Sequence, residues 1–130
     1  MSERPLSPHL QVYKFFPTMF LSILTRITGV GLTVGLVAFA WWLTAAAGGE
    51  EDYERALALL GSWPVQLMLL AWLAAWCYHV ANGLRHLVWD ATLCIEKAQI
   101  RRSRWVVVGS AAAAWVLLAW LLFCGRGFSS

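Results

Sequence analysis

The sequence predicts an all-α membrane protein with three transmembrane helices. Three observations carry this: a very apolar composition, three long uncharged runs, and a charge pattern that alternates between the segments joining them. Of the 130 residues, 60% are hydrophobic and only 13% charged, a balance that a water-soluble domain of this size could not bury. Nine tryptophans fit the same reading, because indole rings favour the headgroup boundary and helix contacts. The net charge of +3 then asks for a location along the chain rather than a nucleic-acid partner. The length allows one domain, residues 1–130.

The uncharged runs cover about 23 residues (27–49), about 29 (56–84) and about 21 (105–125), each enough to cross roughly 30 Å of hydrocarbon at about 1.5 Å per residue. The flanks predict a leader over 1–21 and helices over about 22–47, 62–85 and 105–125. Pro64 suits a first helical turn, so the second helix is expected to begin near Ser62 and Trp63, leaving 53–60 as an amphipathic or interfacial piece. The leader is polar and contains prolines, with no small-residue cleavage site at the right distance from the apolar run, so the N-terminus is expected to be retained.

Charge sets the expected orientation. Arg4, Lys14 and Arg26 flank the first helix, and Arg85, Lys97, Arg101, Arg102 and Arg104 cluster between the second and third. Glu50, Glu51, Asp52 and Glu54 face only Arg55 in the remaining connection. The positive-inside rule then places the N-terminus in the cytoplasm, or on the matrix side in an organelle, and the C-terminus outside. Cys77, Cys94 and Cys124 are odd in number and scattered, which suggests neither a disulfide framework nor a metal knuckle. The Ala111–Ala114 run and the Gly31/Gly35 pair read as close helix contacts.

The second apolar run ends in Tyr78, His79, Asn82, Gly83, Arg85, His86 and Asp90. Ionisable groups so deep in an apolar helix are costly and call for a function or a partner. His79 sits roughly 9 Å inside Arg85 along the helix. A buried imidazole in a helix bundle can be an axial haem ligand, and Gly83, one turn on, would let a flat macrocycle approach. The alternative is a structural histidine bonded to a neighbouring helix. His79 and His86 lie about 10.5 Å apart along one helix, so they cannot ligate opposite faces of one iron. With His9 in the leader, a bis-histidyl haem needs its second ligand from another chain. His86 and Arg85 are then candidates for a propionate, water or interfacial contact. Asp90 and Tyr78 could join a proton path, or Asp90 could pair with a loop arginine.

At the start of the first helix, Ser22 and Arg26 are spaced i, i+4 on one face, which Gly29 continues. Antiparallel helices bring this end beside His79. A hydroxyl can donate to a quinone carbonyl, and a guanidinium can stabilise an anionic quinone or a propionate; a snorkelling arginine is the other reading. No dinucleotide motif, iron–sulfur cysteine set, Ser/His/Asp constellation or P-loop is present in the sequence. The chain cannot oxidise a substrate unaided.

Three motifs in order resemble the cytochrome b membrane-anchor subunits of succinate dehydrogenase (succinate:quinone oxidoreductase, complex II). They are Arg4-Pro5-Leu6-Ser7-Pro8-His9-Leu10 with Tyr13, then Ser22-Ile23-Leu24-Thr25-Arg26-Ile27-Thr28-Gly29, then His79-Val80-Ala81-Asn82-Gly83-Leu84-Arg85-His86-Leu87 with Trp89-Asp90. The resemblance implies that His79 is the haem b axial ligand and that Ser22 and Arg26 line a ubiquinone site. It also implies one haem b shared with a second small anchor subunit, and docking of an iron–sulfur subunit and a flavoprotein on the cytoplasmic face of a bacterial or mitochondrial inner membrane. The sequence departs from the pattern at Thr25, where the family has a histidine thought to serve the haem propionate, and at Thr92, where a small residue is usual. Other readings are the anchor of a quinol:fumarate reductase, a haem-free structural anchor, and a small transporter. A transporter predicts polar residues along a midplane path, whereas here they gather at one end.

Overall fold

The computed structural model describes residues 17–93 and 96–126, and its described elements are all α-helices. They are α1 (Pro17–Ala47), α2 (Glu50–Gly61), α3 (Trp63–Asp90) and α4 (Lys97–Arg126). Three segments are long and apolar enough to span a bilayer: Met19–Ala47, Trp63–Asp90 and Ala98–Cys124. The leader motif with Arg4, His9 and Lys14, and Cys94, lie outside the described residues. The piece expected around 53–60 belongs to α2, a separate short helix.

The junctions follow from local chemistry. α1 gives way to Gly48-Gly49, and Gly49 adopts φ 117°, which residues bearing a Cβ rarely reach. Glu50, Glu51 and Asp52 then fill the first turn of α2, where carboxylates meet unpaired N–H groups and the positive end of the helix dipole. Arg55 pairs with Glu51 and Asp52 on the exposed side of α2, while Ala56 is turned inward and buried. Ser62 alone joins α2 to α3. Its backbone is extended, and both its N–H and its Oγ donate to the Leu59 carbonyl, at 3.1 and 2.6 Å. Pro64 lies in the first turn of α3, where a missing N–H leaves no bond unmade.

α3 ends in a Schellman motif. The Thr92 N–H donates to Trp89 O at 2.8 Å and the Leu93 N–H to Val88 O at 3.1 Å, the paired bonds that close a helix around one left-handed residue. That residue is Thr92, at φ 59°. A β-branched side chain is costly there and a small one is not, which gives the departure noted at this position a conformational meaning.

α3 is the middle helix, packed against α1 on one side and α4 on the other, with α2 lying against α1 and α3. The buried core is small: Leu21 from α1, Cys77 and Tyr78 from α3, and Val107 and Ala111 from α4, with Leu73, Ala114 and Trp115 packed against it. The inward face of the Ala111–Ala114 run therefore makes the close α3–α4 approach expected of it. The Trp72 indole occupies the space a Cβ at Gly35 would fill, whereas nothing lies within 4 Å of the same position at Gly31. Many large side chains point outward, among them Val34 at 65%, Val37 at 69% and Trp105 at 71% exposure. Water would not tolerate so much apolar surface; lipid or the apolar face of another helix does.

Candidate functional site

The polar side chains of the core line up in one seam where α1, α3 and α4 meet. On α1, Leu21, Thr25 and Thr28 recur at helical spacing and face α3. On α3, Tyr78, Asn82 and Arg85 form the matching row. Asn82, only 2% exposed, is the hub. Its Nδ2 donates to Thr25 Oγ1 at 2.7 Å and its Oδ1 accepts from Arg85 Nη1 at 3.2 Å. The amide is thereby oriented, nitrogen toward α1 and oxygen toward the arginine.

Both ends of the seam are anchored. The Thr25 and Tyr78 hydroxyls donate to the Leu21 carbonyl at 2.8 and 2.9 Å. At the other end, Arg85 Nε donates to Ser103 Oγ at 3.1 Å, and Ser103 in turn donates to Ile100 O at 3.0 Å. The Arg85 guanidinium also stacks on the Trp89 ring, 4.0 Å from its centroid, a favourable placement for a cation away from water. Among the described residues no carboxylate pairs with Arg85; neutral oxygens and an aromatic face hold it instead. Thr25, at the position where the resemblance has a histidine, has one hydroxyl proton, and it is engaged with Leu21.

His79 lies beside this seam. Its half-buried ring places Nδ1 3.1 Å from Thr28 Oγ1. Thr28 itself donates to the Thr25 carbonyl at 3.0 Å. The ring edge at Cε1 packs 3.4 Å from the position a Cβ on Gly29 would take, and nothing lies within 4 Å of the equivalent position on Gly83. One nitrogen is thus held by α1 and the ring is only partly covered, with open space one turn along. These features fit an imidazole that receives a flat ligand on its remaining nitrogen.

The other candidates stand apart from the seam. Ser22 and Arg26 are exposed on α1, next to the buried stripe. His86 is exposed and meets the Trp89 ring edge-on, with centroids 5.3 Å apart. Asp90 is exposed and makes no ion pair among the described residues. Arg85 alone of the flanking candidates is buried in the network. Sequence reasoning did not single out Thr28 or Ser103. The signal for Thr28 was its i+3 spacing from Thr25; Ser103 gave none. On the face of α3 turned away from His79, an apolar groove of about 470 Å³ runs along α4, lined by Trp76, Val80, Leu84, Val88 and Val106, with Arg85 and Ser103 at its polar end.

The whole seam lies inside a stretch, residues 1–118, that matches the family described as succinate dehydrogenase/fumarate reductase transmembrane subunit. The chain belongs to that family. It is 38% identical to the succinate dehydrogenase cytochrome b556 subunit of Paracoccus denitrificans over 93% of both chains. It is also 36% identical to the subunit of the same name from Rickettsia typhi, over 82% of this chain and 83% of that one. The mitochondrial succinate dehydrogenase cytochrome b560 subunit of Homo sapiens is 33% identical over 82% of this chain and 64% of its own. As a succinate dehydrogenase/fumarate reductase transmembrane subunit, the chain is the membrane part of an oxidoreductase complex, and its three spanning segments are that membrane part.

Proposed function

We propose that this chain is the cytochrome b anchor of a succinate dehydrogenase, holding one haem b together with a second small anchor subunit and forming part of a ubiquinone-reduction site. The observation that carries the reading is His79, half-buried at one end of the helix group, with one ring nitrogen engaged by α1 and the other unassigned. Haem b, when bound, supplies reversible one-electron transfer beside the quinone. His79 would hold the haem from this chain, and a partner would supply the second protein ligand, because His86 is too far along the same helix. Ser22 and Arg26, exposed together on α1, donate hydrogen bonds to a quinone oxygen. The chain does not oxidise succinate alone: electrons arrive from a flavoprotein through an iron–sulfur subunit docked on the basic, cytoplasmic end of the helices. That docking face is supported by Arg101, Arg102 and Arg104 at the start of α4 and by the orientation the positive-inside rule gives. Succinate oxidation is favoured over fumarate reduction because the curated relatives carry the former name.

The absorption spectrum of the purified membrane complex tests the haem. A b-type band is expected in the wild type, with loss of that band in His79→Ala. If His79→Ala leaves the band unchanged, the histidine is a structural contact only. For the quinone site, Arg26→Leu is expected to lower quinone reduction about tenfold, the worth of one charge-assisted hydrogen bond. Succinate oxidation by a soluble artificial acceptor should persist, and equal loss of both activities would mean failed assembly.

A further inference from the structure

The geometry assigns Thr28 as a positioning residue that fixes the tautomer of His79, so that Nδ1 carries the proton and Nε2 presents its lone pair. The assignment rests on the proposed haem ligation and goes beyond it by naming what orients the ligand. A threonine hydroxyl has one proton and accepts through its lone pairs. The Thr28 proton goes to the Thr25 carbonyl at 3.0 Å, the back-bond a threonine makes within its own helix. Its 3.1 Å contact with His79 Nδ1 must then be an acceptor contact, which requires a proton on Nδ1. A neutral imidazole carries only one, so Nε2 has none and is the nitrogen free to bind a metal.

The same contact sets direction as well as tautomer. Thr28 is buried, so water does not compete for its oxygen, and Gly29, with no side chain, leaves room for the ring edge, whose Cε1 lies 3.4 Å from where a Cβ there would stand. The ring is therefore held from α1 at Nδ1. A histidine ligand that donates its distal N–H to a fixed acceptor is also a better electron donor to the metal, which favours the oxidised iron. Thr28 would thus lower the haem potential while securing the ring.

Three substitutions separate this role from simple packing. Thr28→Val keeps the shape and removes the acceptor, Thr28→Ala removes both, and Thr28→Ser restores the acceptor without the methyl group. In the intact purified complex, redox titration of the b-type band is expected to show a raised midpoint potential in Thr28→Val and Thr28→Ala and a near wild-type value in Thr28→Ser. Haem retention should weaken about tenfold or more in the first two, as for other residues that support a metal ligand. A wild-type potential in either Val or Ala, or a Ser variant shifted as far as Val, would overturn the assignment of Thr28 while leaving His79 as ligand. A wild-type complex with no b-type band would instead overturn the haem reading on which it rests.

Discussion

α3 meets its two long neighbours through two different chemistries. Toward α1 the contact is a row of directed hydrogen bonds through Tyr78, His79 and Asn82. Toward α4 most of the contact is Cys77, Leu73 and Ala81 against Val107, Ala111 and Leu118, with two side-chain bonds, from the Trp115 indole to the Leu70 carbonyl at 3.0 Å and from Arg85 to Ser103 at the polar end. In lipid, apolar surface gains little by leaving its surroundings for another helix, so the α4 contact depends on fit. The α1 contact depends on pairing. Each group in it has few acceptable partners, and this fixes the rotation and register of α1 against α3 at the end where His79 sits.

The largest effect should come from the hub. Asn82→Leu keeps nearly the same volume but leaves Arg85 without one acceptor and Thr25 without its donor. Losing a buried bond to a charged group should lower stability by roughly 3 kcal/mol, read as the thermal midpoint of the purified complex. A change below about 0.5 kcal/mol would mean the seam is no more demanding than the α4 side. A smaller effect is expected there: Trp115→Phe removes one neutral bond and leaves a ring in place, a loss of about 1 kcal/mol. If Trp115→Phe costs more than Asn82→Leu, the contrast between the two sides fails. The smallest change lies outside both contacts. Thr92→Gly should stabilise the end of α3 by up to about 1 kcal/mol, since glycine adopts the left-handed turn without strain, and it should leave the spectrum of the complex unaltered.

The spans were legible because charge and hydropathy report directly on what lipid accepts. The helices themselves extend beyond those limits. α4 begins at Lys97 and α3 runs to Asp90, since lysine, glutamine and arginine are good helix formers even where they end an apolar run. His79 was conspicuous because imidazole is rare in such a setting, whereas Thr28 and Ser103 were not, because a threonine or serine in a membrane helix usually bonds its own backbone. Both do so here. Their second contacts depend on the rotation of one helix against another, and a sequence spacing carries only the rotation of a helix about itself. Thr25 illustrates the same limit. The resemblance marked it as a missing histidine; only the packed helices give it a place as the acceptor for Asn82.

That exchange has a consequence for how this end of the molecule responds to its surroundings. An imidazole at the position of Thr25 would gain and lose charge near neutrality, whereas a hydroxyl facing Leu21 and Asn82 keeps the same charge throughout that range. An acidic group brought there would meet the permanent charge of Arg26 rather than a titrating neighbour at Thr25. Its attachment would weaken with added salt, as screening dictates, and the Thr25 position would contribute no proton uptake or release to it.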